Sequence, residues 1–367
     1  MSLMRPLAVY VHWPWCRRIC PYCDFNVYKA RDLPGLVEAM ARDLAARRET
    51  TGAREIVSVH FGGGTPSLMA PRDVERLLGA VDGLWGLPAR AEVGLEANPH
   101  EISEDKMRAF AGAGVNRVSL GVQTFSDTGL ARLGRDHDGA QARLATTVAL
   151  RVLETVSLDL IFGWAGQDLA GWERDLETAL ALGVPHISAY QLMIEPGTAF
   201  ARAEARGRSR AVGAALSADM YELAEGRLTA AGYGHYEVSN YARPGWESRH
   251  NRAYWWGDDY LGIGPGAHGR IAVGGTRLAS VTPRKPADYI EDPTPEFEPL
   301  DASEQAVEYA LLGLRAREGI ELDRYARLAG REPKLAGLDG LVEVAGRRLR
   351  ATRDGWAVLD SVLERLL

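Results

Sequence analysis

The stretch Cys16-Arg17-Arg18-Ile19-Cys20-Pro21-Tyr22-Cys23 holds all three cysteines of the 367-residue chain, so none is left for a disulfide or a second site. It follows an apolar run from Leu7 to Trp13, and its C-x3-C-x2-C spacing puts three thiols on one tight loop. Soft thiolate ligands select zinc, copper(I) or iron–sulfur clusters. Zinc would need a fourth protein ligand, and Asp24 or His12 could supply one, although neither completes a usual zinc-finger spacing. A cubane held by three cysteines would leave one iron free for another ligand. We favour that interpretation over zinc or inert buried thiols.

The composition is that of an ordinary soluble globular protein, with 46% hydrophobic and 25% charged residues. The net charge of −6 argues against a general binder of nucleic acid or anionic membranes. No apolar stretch is long enough to span a bilayer. We also expect no signal peptide, because Met1 to Pro6 leads straight into the apolar run before the cysteines. An oxygen-sensitive cluster and the absence of a secretory signal both predict the cytoplasm.

Six strand-then-helix units are predicted between Leu7 and Leu192, from β-branched apolar runs that alternate with helical periodicity. Alternating units of this kind imply a parallel sheet, and six units are too few for a closed eight-stranded barrel. We therefore predict an α/β fold, a partial (β/α)6 barrel open on one side, with ligands at the carboxyl ends of its strands. The predicted strands are 8–13, 56–61, 91–97, 117–122, 155–162 and 186–192, and the predicted helices are 36–48, 71–81, 103–113, 126–133, 139–150 and 169–182.

The last third of the chain differs in character from the first part. A helix is predicted near 211–231, then eight aromatic residues fall within 233–260, followed by glycine-rich turns and a linker with five prolines between Pro283 and Pro299. The tail from Asp301 predicts a helix, a short helix, a hairpin around Gly346 and a last helix, which is a winged-helix-like pattern. Its 11 Lys+Arg and 12 Asp+Glu leave no basic excess for phosphates, so we expect a packing or partner module. The predicted domains are 1–205, 206–295 and 296–367.

Polar motifs follow several of the predicted strands. Gly62-Gly63-Gly64-Thr65-Pro66 comes after the second strand, where glycines let the backbone approach a ligand closely, although a tight turn would also explain them. Glu96, Gln123 and Asp159 stand near later strand ends, and Arg135 follows the fourth strand. A polar residue at the end of an apolar strand either bonds to a neighbouring loop or faces a ligand. Four of them at one rim predict a polar pocket for a zwitterionic nucleoside.

Together these motifs resemble the HemN/HemW branch of the radical S-adenosylmethionine (SAM) proteins. The resemblance runs from Tyr10-Val11-His12-Trp13-Pro14-Trp15-Cys16 through the cysteine and glycine motifs to Gly262-Ile263-Gly264-Pro265-Gly266-Ala267-His268-Gly269 and the tail. It implies a radical SAM barrel with a C-terminal winged-helix-like HemN-type domain, and a [4Fe-4S] cluster on Cys16, Cys20 and Cys23. It also implies SAM contacts from Tyr10, Tyr22, Gly63, Gly64, Thr65, Glu96, Gln123, Arg135 and Asp159.

Two sub-branches of this family differ near the third cysteine. Oxygen-independent coproporphyrinogen III dehydrogenases carry a further cysteine two residues after the third one, and this chain has Phe25 at that place. They also have a long extension before the cluster motif, whereas fifteen residues precede the motif in this chain. Cys20-Pro21-Tyr22-Cys23-Asp24-Phe25-Asn26 and the HNxxYW motif from His250 to Trp255 resemble the haem-chaperone sub-branch instead. The resemblance therefore implies haem binding and delivery of haem to apo-proteins. Oxidative decarboxylation of coproporphyrinogen III, which we do not expect, is the alternative, and a cluster-bearing regulator without haem is a third.

His250 is the predicted haem ligand. Imidazole is a standard axial ligand of haem, and Tyr254, Trp255 and Trp256 could pack on a flat macrocycle. Asn251 or Asp258 could orient its other ring nitrogen. A buried histidine in an aromatic core is the alternative for His250, in which case the haem ligand would be sought among His60, His235 and His268.

The cysteine loop generates the first testable prediction. Protein reconstituted under anaerobic conditions should carry about four irons and four sulfides per chain, with broad visible absorption, because three thiolates hold a cubane. Changing Cys16, Cys20 and Cys23 together to Ala should abolish that absorption. Stoichiometric zinc without sulfide in the native protein would contradict the prediction.

Overall fold

A computed structural model describes residues 6–31 and 33–367. The prediction of no signal peptide falls on Met1 to Pro6, of which residues 1–5 lie outside the described residues. Within the described ranges, no helix is both long and apolar enough to cross a bilayer.

The longest strands belong to the large sheet. Its central strands are rich in β-branched and apolar residues, as the sequence predicts. Their bounds are β1 Pro6–Trp13, β2 Trp15–Cys16, β3 Tyr28–Lys29, β4 Glu55–Gly63, β5 Glu92–Ala97, β6 Arg117–Gln123, β7 Thr155–Phe162, β8 His186–Gln191, β9 Gly234–Glu237, β10 Asn240–Ala242, β11 Asp259–Ile263, β12 His268–Val273, β13 Thr276–Val281, β14 Glu296–Leu300, β15 Ile320–Glu321, β16 Val342–Ala345 and β17 Arg348–Ala351.

Most helices begin at a recognisable first-turn or capping residue. Pro71 opens one helix, and the side chains of Ser103 and Ser126 accept a backbone N–H at the start of two others. The bounds are α1 Leu36–Thr51, α2 Pro71–Trp85, α3 Glu104–Gly112, α4 Asp127–Arg132, α5 Gly139–Val152, α6 Leu169–Leu182, α7 Ala199–Glu204, α8 Ala214–Ala230, α9 Arg249–Trp255, α10 Pro286–Glu291, α11 Ala302–Gly313, α12 Leu322–Ala329, α13 Arg353–Ala357 and α14 Leu359–Leu366.

The predicted α/β architecture is confirmed. Strands β1, β4, β5, β6, β7 and β8 pair in parallel in that order, each followed by helical structure. The predicted strand bounds differ from the observed ones by at most two residues. Because parallel strands end at the same edge of a sheet, the loops after them form one rim.

The two faces of the curved sheet differ in polarity because successive side chains of a strand point to opposite faces. In β4, Val59 and Phe61 are buried in the main apolar core beneath the helices. The alternate residue His60 faces inward, where it lines a small cavity of about 70 Å³ together with Ser119 and Asp159. The barrel interior is therefore polar.

The stretch predicted as a proline-rich linker is structured. It contains α10, which begins at Pro286, and β14, which pairs with β13 at the edge of the large sheet. Proline is compatible with both places, because the first turn of a helix and the outer side of an edge strand need no N–H donor. Strands β11 to β14 thus extend the sheet from β1, with β11 parallel to β1.

The C-terminal segment has its own apolar core, which includes Tyr325, Leu349 and Trp356. It follows the predicted order of helix, short helix and hairpin at Gly346, but the single last helix that the sequence predicts is divided into α13 and α14. It joins the barrel through backbone bonds from Val238 N to the carbonyl of Arg315 and from Arg317 N to the carbonyl of Tyr236. The division at 205 and 295 and the winged-helix-like description stay predictions.

Helix α9 is anchored in the barrel by one buried carboxylate. Glu92 on β5 accepts hydrogen bonds from the Ser248 hydroxyl and from the backbone amides of Arg249 and His250, each at 3.1 Å. Arg117 on β6 pairs with the same carboxylate at 3.2 Å and donates to the carbonyl of Trp246 at 3.1 Å. The amides at a helix start have no partner within the helix, so Glu92 satisfies them inside the protein.

We predict that Glu92→Gln lowers the free energy of unfolding by about 3 kcal/mol, because the buried Arg117 guanidinium loses its counter-charge. Urea denaturation of the cluster-free protein measures this. Glu55→Gln on β4 is the matched control, since its partner Arg90 is 72% exposed, and it should cost less than about 1 kcal/mol. Equal losses in the two variants would contradict the anchoring role of Glu92.

Candidate functional site

A cavity of about 310 Å³ lies at the carboxyl ends of the parallel strands, where the sequence predicts the ligand site. We call it the first cavity. It brings together most of the predicted site residues from the cysteine loop, the glycine loop and the later strand ends. Those that line it are Cys16, Cys20, Tyr22, Cys23, Gly63, Gly64, Thr65, Glu96, Gln123, Arg135 and Asp159.

The thiols of the cysteine loop lie at the first cavity, which Cys16, Cys20 and Cys23 all line. Soft thiolate donors of this kind suit a zinc, copper(I) or iron–sulfur centre. Burial raises the pKa of the Cys16 thiol and raises that of Cys23 to about 11. The Cys16 and Cys23 thiols are therefore protonated at neutral pH when no metal is bound, and binding a metal centre would release their protons. The Arg135 guanidinium donates to Cys20 Sγ at 3.0 Å.

The glycine loop is bonded to the backbone that leads into the cysteines. Gly64 N donates to the Trp13 carbonyl at 2.7 Å, and Thr65 N donates to the Trp15 carbonyl at 2.9 Å. A Cβ at position 64 would lie 2.7 Å from the Trp15 carbonyl oxygen. Gly63 has a φ of 105°, which favours glycine. The two loops therefore approach as closely as the backbone allows.

A chain of polar side chains crosses the floor of the first cavity. Arg135 bonds to Asn98 and donates to the Gly121 carbonyl at 2.9 Å, and Asn98 donates to Thr65 Oγ1 at 3.1 Å. Glu96 accepts a bond from Gly63 N at 3.2 Å. Sequence reasoning missed Asn98, although it comes directly after β5 and only two residues after Glu96.

Gln123 has an unusual backbone conformation. Its φ of 68° is the one positive φ of a non-glycine residue in the ranges 6–31 and 33–367. Such a conformation costs about 1–3 kcal/mol and persists where the surrounding structure imposes it, often at functional sites. It follows an irregularity in the pairing of β6 with β7 between Leu120 and Gln123.

Asp159 lies at the inner end of the first cavity. Both of its carboxylate oxygens accept from the Ser119 hydroxyl, at 3.0 and 2.9 Å. Burial raises its pKa to about 6, although hydrogen bonds from Ser188 and Ser119 oppose that shift. At neutral pH it supplies a negative charge in a mostly buried polar setting.

Two predicted site residues lie outside the first cavity. Tyr10 lines a different cavity, and its hydroxyl bonds to His12 Nδ1 at 3.0 Å. His250 is buried, with its ring stacked on His60 at 4.4 Å and edge-on to Tyr254 at 4.8 Å. Burial lowers the pKa of His250 well below its usual value. This is the aromatic-core position that was the alternative for His250, and it follows from the anchoring of α9 on Glu92.

The comparisons with known proteins agree with this geometry. The Radical SAM superfamily model matches residues 10–179. A relative from Mycobacterium tuberculosis, named heme chaperone HemW, is 38% identical over 375 residues, 99% of this chain and 95% of the relative. The chain belongs to the HemW family of radical SAM proteins. A further relative of this HemW-family chain, the mitochondrial radical S-adenosyl methionine domain-containing protein 1 of Bos taurus, is 39% identical over 387 residues, 98% and 87% of the two chains.

A solved structure supports the fold of this HemW-family protein. It is described as coproporphyrinogen III oxidase (HemN) from Escherichia coli, a radical SAM enzyme, and is similar with a TM-score of 0.81 at 21% identity. The match covers 99% of this chain and 90% of the other. At that identity the likeness concerns the fold alone. Radical SAM membership implies a [4Fe-4S] cluster and SAM, which the thiol donors and the polar cavity fit.

Asp159 generates a prediction about pH. Between about pH 4 and pH 6 the unfolded carboxyl is ionised while the folded one holds its proton, so stability falls as pH rises through that window. The stability advantage of Asp159→Asn over the native protein should therefore grow by about 1.4 kcal/mol, the worth of one pKa unit, between pH 5 and pH 8.

Urea denaturation at both pH values measures that change. Any effect of the Asn amide on the free energy of unfolding that does not depend on pH is the same at both values and therefore cancels. Asp360→Asn is the control, because the Asp360 side chain is 92% exposed. A difference for Asp159→Asn that does not change with pH would contradict the raised pKa.

Proposed function

We propose that this protein is a haem chaperone that binds a [4Fe-4S] cluster, SAM and haem, and delivers the haem to apo-proteins. The observation that carries the proposal is the 38% identity, over 99% of this chain, to a relative named heme chaperone HemW. Phe25, at the place where the dehydrogenases of the family carry a further cysteine, supports it. Haem and haem-accepting apo-proteins are the proposed partners.

In this proposal the cysteine loop and the first cavity form one cofactor site. Cys16, Cys20 and Cys23 would hold three irons, and the fourth iron would bind the amino and carboxylate groups of SAM. The negative charges of Glu96 and Asp159 suit a cationic sulfonium nucleoside. The remaining proposed contacts to SAM are Tyr10, Tyr22, Gly63, Gly64, Thr65, Gln123 and Arg135. Tyr10 would act from the neighbouring cavity or need to turn.

Coproporphyrinogen III oxidation is the second candidate function. The fold likeness to HemN favours it, but that likeness is also expected of a chaperone built on the same fold. Phe25 has no thiol, and its side chain is 62% exposed beside the cysteine loop. A cluster-bearing regulator without haem would be a third possibility, favoured only by a failure to bind haem.

The proposed compartment is the cytoplasm, where thiols stay reduced. We propose no nucleic-acid partner, since the net charge is −6 and the tail has no basic excess. An axial bond from His250 would require α9 to move, because its imidazole is stacked in the interior.

The proposal predicts that anaerobically reconstituted protein binds about one haemin per chain with a defined Soret band, and passes it to an apo-cytochrome in a mixture of the two. Absorption spectra before and after separation of the proteins measure both steps. Free haemin at the same concentration, without the protein, is the control for passive uptake.

The two functions are separated by an assay with coproporphyrinogen III, SAM and a reductant. A chaperone should give no protoporphyrinogen. Conversion of about one coproporphyrinogen III molecule per chain per minute, or faster, would favour the dehydrogenase. This threshold is set low, because enzymes typically turn over about 1–1,000 times per second.

A further inference from the structure

A second cavity of about 310 Å³ lies beside the first one, between the cysteine loop and the strands β11 and β12. Its walls include Tyr10, Phe25, Tyr254, Tyr260, His268 and Arg284. We propose that haem binds in this second cavity with His268 as its axial ligand. This inference rests on the proposed haem binding and gives it a place and a ligand.

Aromatic side chains give the second cavity surfaces for a flat ligand. Tyr254 and Tyr260 pack edge to face with ring centroids 4.4 Å apart. Phe25 stands at the rim with most of its ring exposed. An apolar macrocycle would cover that ring and rest on aromatic surface, which large planar ligands favour. Tyr254 belongs to the HNxxYW motif, so the motif reaches the second cavity through its tyrosine.

His268 is the histidine best placed to bind iron there. It is exposed at the start of β12, and neither of its ring nitrogens has a hydrogen-bond partner among the described residues. His12, which also borders the cavity, uses both nitrogens, on the Tyr10 hydroxyl at 3.0 Å and the Asn26 carbonyl at 2.9 Å. His250 is buried behind Tyr254.

Although the Asp24 carboxylate also lines the second cavity, the charges nearest His268 are guanidinium groups, which suit an iron porphyrin. Partial burial, then Arg270 and Arg284, lower the pKa of His268, which keeps the imidazole neutral and able to bind iron at pH 7. Arg270 is bonded to Glu308 at 2.7 Å, whereas Arg284 is exposed and has no ion pair within the described ranges. The Arg284 guanidinium is therefore available to a propionate, in the charge-assisted bonds that Arg forms with carboxylates.

The position of Arg284 is fixed through its backbone. Asn26 Nδ2 donates to the carbonyls of Pro265 and Arg284 at 2.9 and 2.8 Å, and the Tyr28 hydroxyl donates to the Arg284 carbonyl at 3.1 Å. Asn26 lies three residues after Cys23, so these bonds join the second cavity to the cysteine loop. Phe25 borders both cavities.

The size of the second cavity suits a ligand that must leave again. Ligand pockets commonly span about 300–1,000 Å³, and 310 Å³ is at the lower end. Haem is larger than this space, so part of the macrocycle would stay outside the protein. An acceptor could then approach that exposed edge directly.

Titration of the full-length, cluster-reconstituted protein with haemin tests the site. His268→Ala should lower haemin affinity by at least about tenfold and shift the Soret band, and added free imidazole should restore the native spectrum. His250→Ala should leave the Soret position unchanged. Retained cluster absorption shows that each variant is folded.

Metal-free protoporphyrin IX provides a second readout. Its affinity should be insensitive to His268→Ala, because it offers no iron, and should fall in Arg284→Gln, because its propionates lose their partner. Native protein that binds no haemin would overturn the proposed function. Native protein that binds haemin, with an unchanged spectrum and affinity in His268→Ala, would overturn this site alone.

Discussion

The ion pair of Glu92 and Arg117 is the constraint on which the placement of α9 inside the barrel depends. A helix start and a lone carboxylate are each costly inside a protein, and here each satisfies the other. Because Glu92 fixes where α9 begins, it also fixes where the ring side chains of α9 lie along the barrel wall. His250 meets His60 in the interior, and Tyr254 reaches the surface of the second cavity.

The large sheet could be predicted because its strands are buried runs of β-branched residues separated by clear helical periods. What sequence could not provide was the pairing of the later strands. The prolines between Pro283 and Pro299 predict a linker when they are considered locally. Whether Pro286 opens a helix and Pro299 sits on an edge strand depends on which neighbour β14 meets, and that is a tertiary property.

The first cavity was predictable for a related reason: polar residues that end neighbouring parallel strands must converge. The same logic would have included Asn98, which stands two residues after Glu96. Tyr10 and His250 were harder to place. Tyr10 lies at the border of two cavities, and only the packing decides which cavity its side chain lines. Packing also decides that α9 buries His250. Residue type and spacing alone do not determine either outcome.

Asn26 has a thermodynamic consequence. Its amide joins the loop that carries the cysteines to the backbone at Pro265 and Arg284, so an ordered cysteine loop and an ordered second cavity favour each other. Coupling between two binding sites is reciprocal. If haem binds in the second cavity, an intact cluster raises the affinity for haem by some factor. Bound haem then raises the affinity for the cluster by the same factor. Under the proposed function, loss of the cluster would then weaken haem binding by that same factor.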